Sequence, residues 1–233
     1  MNWNELNPNL KTEHFQKQKE RRILVIGDLH CPFDLNEYFD FCVEQYKKYD
    51  CNQVVFIGDL LDNHYSSFHP TDPDGLGGGD ELQFAINRLQ RWIKQFPVAD
   101  VIIGNHDRII ARRSFDSDIP KQWIRSYNEV LGTNWNWTER VVYDGVQYLH
   151  GEGGNARTKA KNDLISTVQG HIHTMAFSEW FVGANFKILA FQVGCGVDSK
   201  SYAAAYAKHF KKQAIGCGIV IGGKTAINCM MEL

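Results

Sequence analysis

The sequence predicts an α/β protein built as a two-sheet β-sandwich flanked by helices, and three observations lead there. Apolar runs at residues 23–26, 53–57 and 98–103 each end in glycine followed by a polar residue, with helix-periodic stretches between them, which is the βαβ pattern of a parallel sheet. From residue 141 onward the chain turns strand-rich. Segments 141–143 and 146–149 flank Asp144-Gly145, the strongest hairpin signal present, and short apolar runs follow at 165–169, 177–182, 187–193, 215–221 and 225–230. These later runs are assigned to a second sheet. Finally, 233 residues with 43% hydrophobic and 22% charged composition are ordinary for a globular chain and fit one large domain.

In chain order, residues 1–22 are polar, carry both charge signs and lack an apolar stretch, so they are expected to form a surface arm rather than a signal peptide or anchor. The domain proper spans 23–233. Its first strand should be covered on both faces, because residues 23–26 are uninterrupted aliphatics. Residues 35–49 have helical spacing, with Asp34 as N-cap. The stretch 63–80, NHYSSFHPTDPDGLGGGD, opposes regular structure and is long enough to be a functional loop over a site. Helical periodicity returns after it and stops at Pro97. Residues 109–131 should be helical in two pieces broken near Asp118 and Pro120, and Trp135 and Trp137 in the loop beyond read as packing residues. No run reaches the roughly 18 apolar residues needed to cross a bilayer. Six cysteines without C-x-x-C spacing are expected to be reduced thiols of a cytoplasmic protein. The formal charge of −2 excludes a general attraction to polyanions, so any such binding needs a local cation cluster or a bound metal.

Chemistry concentrates at the strand ends. Asp28 and His30, two apart on extended backbone, should project to one side, and a carboxylate beside an imidazole suits a borderline divalent cation. Further on stand G-D-x-x-D at Gly58 to Asp62, G-N-H-D at Gly104 to Asp107, H-G at His150 and G-H-x-H at Gly170 to His173. Five of the nine histidines fall in these blocks. Two adjacent cations require a bridging carboxylate, and Asp59 is central in the order. In order and spacing the five blocks resemble the calcineurin-like metallophosphoesterase superfamily. The resemblance implies a four-layer α/β/β/α sandwich and two divalent metal ions, with Mn²⁺ favoured and Fe, Zn, Co or Ni acceptable to the same ligands. One metal would take Asp28, His30, Asp59 and His173, and the other Asp59, Asn105, His150 and His171. It also implies His106 as the group that stabilises the transition state or protonates the leaving oxygen, with Asp107 as its orienting partner, and attack in line by a metal-bridging hydroxide.

One departure bears on substrate. Protein phosphatases of this superfamily carry G-D-x-x-D-R-G, whereas Asn63 and His64 follow Asp62 here. Losing a guanidinium that clamps a phosphomonoester dianion favours a diester, so the expected partner is a nucleotide or nucleic-acid phosphodiester rather than a membrane. Tyr65, Phe68 and His69 are candidates to meet a base or other leaving group, and Arg157 a candidate phosphate contact. Asp62 reads as a turn cap. Arg112, Arg113, Lys208, Lys211 and Lys212 read as solvated surface. A phosphomonoesterase, a DNA nuclease and a non-catalytic metal-binding scaffold stay open as alternatives, and oligomeric state has no signal.

Overall fold

The computed structural model describes residues 20–68, 71–198, 200 and 212–232; most of the N-terminal arm, His69, Lys208 and Lys211 lie outside these. Among the described residues, eleven strands make two mixed sheets. In the first, β1 (Arg22–Ile26), β2 (Gln53–Phe56), β3 (Asp100–Ile102) and β4 (Asn136–Thr138) run parallel, while β10 (Gly216–Ile221) pairs antiparallel with β1 and β11 (Thr225–Met230) with β10. The second sheet has the order β5 (Val141–Tyr143), β6 (Val146–Leu149), β7 (Ser166–Gln169), β9 (Lys187–Gln192) and β8 (Phe177–Val182), with β6, β7 and β9 parallel.

Alternation along β1 explains the layering. Ile23 and Val25 point into a core shared by both sheets, where they meet Val55, Ile57, Val146, Tyr148, Val168, Leu189 and Phe191. Leu24 and Ile26 point the other way, onto α1 (Tyr38–Lys48) and α2 (Gly78–Gln95), whose Tyr38, Cys42, Ala85, Leu89 and Trp92 complete a second core. On the far side of the second sheet, α5 (Ala156–Asp163) lays Ala156 and Ala160 against Ile188 and Ala190. Both faces of β1 are therefore buried, and the layers run helix, sheet, sheet, helix.

Several elements differ from the sequence expectation. β10 and β11 complete the first sheet rather than the second. β10 is apolar on both faces and covers the free edge of β1, a choice of partner that periodicity does not encode. The segment around Trp137 is a strand, β4, added to the edge of β3. Trp135 packs on Phe56 and donates its indole N–H to Phe96 O at 2.8 Å, and Trp137 stacks on Tyr127, so both rings serve packing. Asp34 caps no helix. Its buried carboxylate accepts from Arg88 and Arg91 of α2, and Glu37 takes the N-cap position. The 63–80 segment holds a short 3-10 turn at His64–Ser66 and the first residues of α2. α3 (Ile109–Asp116), a 3-10 turn at Lys121–Trp123 and α4 (Tyr127–Leu131) follow β3, with the break where Asp118 and Pro120 lie. The six cysteines are free and buried, and no helix among the described residues is long and apolar enough to cross a membrane.

Trp92 is fully buried against Phe39, Phe56 and Phe96, and its indole N–H has no partner among the described residues. Trp92→Ala should cost about 3–5 kcal/mol in denaturant unfolding. Trp92→Phe should cost clearly less, since it keeps most of the ring contact and forfeits no hydrogen bond.

Candidate metal centre

Asp28 follows β1, Asp59 follows β2, Asn105 follows β3, His150 follows β6, and His171 and His173 follow β7, so the carboxyl ends of five strands meet at one place. Ligand sites of open α/β sheets form at such ends. Convergence comes from turns rather than from extended alternation. β1 ends at Ile26, and His30 (φ 50°), Asp59 (φ 46°) and His171 (φ 71°) all sit in the left-handed region, at a cost on the order of 1–3 kcal/mol each. Close approach also requires glycine at two strand ends. A methyl group on Gly104 would lie 2.1 Å from Asp59 Oδ1, and one on Gly170 would lie 2.4 Å from Asp28 Oδ1.

Hydrogen bonds fix which nitrogen each imidazole offers. His150 Nδ1 lies 3.1 Å from Ile57 O, a group that only accepts, so Nδ1 carries a proton and Nε2 is the nitrogen free to take a cation or a second proton. That Nε2 stands 3.1 Å from Asp59 Oδ2, 3.0 Å from Asn105 Oδ1 and 3.1 Å from His171 Nδ1. His30 repeats the pattern: Nδ1 donates to Asp62 Oδ1 at 2.5 Å, leaving Nε2 without a partner and 3.6 Å from Asp59 Oδ2. Asp28 accepts the His171 backbone N–H at 2.9 Å and lies 3.0 Å from His173 Nε2 through Oδ2, while its buried Oδ1 has no partner. Ring nitrogens and carboxylate oxygens thus face one another in a largely buried site, an arrangement that a cation resolves. Asp28, His30 and His173 could hold one ion, and Asp59, His150 and His171 another; Asp59 Oδ2 lies between the two groups. His30, Asp59 and His106 form a third set of comparable spacing. The mix of imidazole, carboxylate and amide oxygen fits a divalent transition metal.

Protonation in the metal-free chain points the same way. Burial opposes charge on His150, yet Asp59 and Asp28 outweigh it and lift the imidazole to about 9. Burial and then the His150 charge lower His171, so a proton on His150 Nε2 occupies the place a cation would fill. Burial pushes the Asp59 carboxyl up, but His150, His30 and His106 together hold it well below the usual carboxylate range. Burial and then His106 lower the His30 imidazole, against the pull of Asp62 and Asp59.

Asp62, the second carboxylate of G-D-x-x-D, makes the contact with His106 that the resemblance implied for Asp107. His106 Nδ1 donates to Asp62 O at 2.7 Å, with Asp62 Oδ1 at 3.3 Å, so Asp62 orients both His106 and His30. Asp107 turns away. Its buried carboxylate accepts the backbone N–H groups of Gly104 at 2.9 Å and Leu61 at 3.0 Å, stapling the loop after β2 to the loop after β3. Burial and then Asp59 raise that carboxyl to about 6. Asp62 stands three residues after Asp59 in the same motif, which is the signal that could have found it. Arg157, at the start of α5, pairs with Glu179 and lies 3.7 Å over the Phe177 ring, both on β8. Tyr65 and Phe68 lie on the loop after Asp62. Phe68 is held between the guanidinium groups of Arg112 and Arg113, at 4.5 and 4.2 Å, so these arginines are engaged rather than simply solvated.

Fold and donor set together define a protein that gathers metal-ligating groups at the carboxyl ends of paired sheets. The chain belongs to the calcineurin-like phosphoesterase family, whose model matches residues 21–181, more than half of its length. No curated protein matches the sequence. Solved structures similar to it include vacuolar protein sorting 29 from Cryptosporidium parvum (15% identity, TM-score 0.44, covering 92% of this chain and 98% of that one). Also similar are the phosphoesterase YfcE from E. coli (14%, 0.42, 85% and 87%) and the nuclease MPE from Pseudomonas putida (12%, 0.39, 89% and 86%).

Because a proton on His150 Nε2 competes with a cation, Mn²⁺ affinity of the chelator-stripped protein should strengthen by up to about tenfold per pH unit between pH 7 and 9 and level off above. Calorimetry in buffers of different ionisation enthalpy would show the released proton. A pH-independent affinity with no proton release would remove His150 from the ligand set.

Proposed function

We propose that the chain hydrolyses phosphodiesters of the nucleotide or nucleic-acid kind at a pair of divalent cations, Mn²⁺ foremost, in a reducing compartment such as the cytoplasm. The observation that carries this reading is the convergence of two imidazole lone pairs, His30 Nε2 and His150 Nε2, on the single oxygen Asp59 Oδ2. Asp28 and His173 would complete one ligand set, and Asn105 and His171 the other. When bound, the cations supply Lewis acidity at a phosphoryl oxygen and lower the pKa of a water.

The chain's own groups do the rest. His106 is fixed by its Nδ1–H bond to Asp62 O, which leaves Nε2 as the end it can present to a substrate. Without bound cations, burial lowers this imidazole, but Asp62 and Asp59 raise it further, to about 10. A cation at that position stabilises developing charge on phosphorus-bound oxygen and can hand its Nε2 proton to the departing alkoxide. The preference for a diester rests on Asn63. It stands where protein phosphatases place arginine, and its side-chain amide is spent on His106 O at 3.0 Å. A diester carries one charge fewer than a monoester dianion and needs that missing cation less.

The test is hydrolysis of bis-p-nitrophenyl phosphate beside p-nitrophenyl phosphate, with Mn²⁺, with chelator, and in Asp59→Asn. Diester cleavage that needs metal and disappears in Asp59→Asn is the expected result. Preference for the monoester would reverse the inference from Asn63, and inactivity of the metal-loaded protein on both would leave a binding scaffold. His106→Ala should keep metal binding and lose about 10²–10⁴-fold in rate on diesters with poor leaving groups. On p-nitrophenyl esters the loss should be smaller, because that leaving group departs without a proton.

A further inference from the structure

Two of the most exposed large apolar side chains among the described residues are Phe115 and Trp123, at 82% and 81%. They lie on α3 and on the 3-10 turn that follows it, in the segment that follows Asp107 in the chain. The same segment is basic. Residues 108–125 contain Arg108, Arg112, Arg113, Lys121 and Arg125 against Asp116 and Asp118, in a chain whose net charge is −2. Arg108 is committed to Glu139 and Glu152. The other four cations are exposed and interleave with the aromatics.

α3 also holds the loop that follows Asp62. Arg113 donates to Ser66 O at 2.8 Å and to Ser67 O, and Phe68 is gripped between Arg112 and Arg113. Tyr65 on that loop is 59% exposed. The loop after Asp62 and α3 are thus joined, and both carry exposed rings near positive charges.

Rings left in water mark an interaction surface, and the surrounding cations specify an anionic occupant. An occupant that offers both flat π-faces and regularly spaced negative charge is single-stranded nucleic acid, whose bases stack on aromatic side chains while its phosphates meet arginine and lysine. A duplex hides its base faces and would use only the charges. We propose that α3 and the turn after it form a platform for single-stranded nucleic acid that leads the strand to the metal centre. This rests on the diesterase reading and names its substrate.

The test uses the full chain in chelator, so that nothing is cut, and a fluorescein-labelled oligothymidine of about twelve nucleotides, within the span one such groove covers. Phe115→Ala with Trp123→Ala should weaken binding about tenfold or more without changing its salt dependence. Lys121→Ala with Arg125→Ala should flatten the log–log salt slope by about 1.4, two phosphate contacts' worth. Both variants should hydrolyse bis-p-nitrophenyl phosphate at close to the wild-type rate. If the wild type cleaves that ester yet does not bind the oligomer, or the aromatic variant binds it as tightly, the platform is refuted and the diesterase stands. Equal affinity for duplex, or a dimer that disappears in the aromatic variant, would likewise overturn it. Oligomer binding by a protein that hydrolyses no diester would keep the platform and refute the hydrolytic reading.

Discussion

Asp59 presents one buried carboxylate oxygen to two imidazole lone pairs, and the surrounding structure keeps it there. Its other oxygen accepts the His106 backbone N–H at 2.8 Å, and its carbonyl accepts the backbone N–H of His30 at 2.8 Å and of Leu29 at 3.1 Å. The residue therefore ties together the loops after β1, β2 and β3. Left alone, such a gathering of electron-rich atoms away from water is unfavourable. A proton on His150 relieves it in the metal-free chain, and a cation would relieve it more completely. Fold stability and metal occupancy are in this way linked through the same atoms.

The backbone concedes stability to hold this geometry. His30, Asp59 and His171 occupy a region that side-chain-bearing residues rarely adopt, and each contributes an imidazole or carboxylate to the centre. They persist because their neighbours over-determine them. Asp107 staples two ligand loops from beneath, Asp62 clamps His30 and His106 together, and the Asp28 carboxylate grips the backbone of the His171 turn. Strain at the strand ends is set against two cores of ordinary aliphatic and aromatic packing.

Much of this was legible in the residue pattern, because strand-end glycine followed by Asp, Asn or His is a local signal. The apolar runs gave β1, β2 and β3 to within a few residues, and Asp144-Gly145 gave the β5–β6 hairpin. What escaped was non-local. The family resemblance implied Asp107 as the orienting partner of His106, but the turn after Asn105 sends the ring to one side and the neighbouring carboxylate to the other, and Asp62 makes the contact from a different loop. Periodicity showed that residues 216–221 are a buried strand and could not show which sheet edge they cover. Asp34 looked like a helix cap because short acidic residues often are, while its two arginine partners lie more than fifty positions away on α2.

The position of β1 bears on the order in which the molecule forms. β1 lies between β2, its near neighbour in the chain, and β10, whose Val220 pairs with Ile23 across most of the sequence. Closing so large a loop early is entropically unfavourable, so the β1–β2–β3 segment with its helices is the unit that can assemble from local contacts. Until β10 docks, one edge of β1 carries unpaired backbone groups beside the strand that delivers Asp28 and His30. On a ribosome, then, the candidate ligands between residues 28 and 173 are all synthesised before the strand that seals the edge of their scaffold.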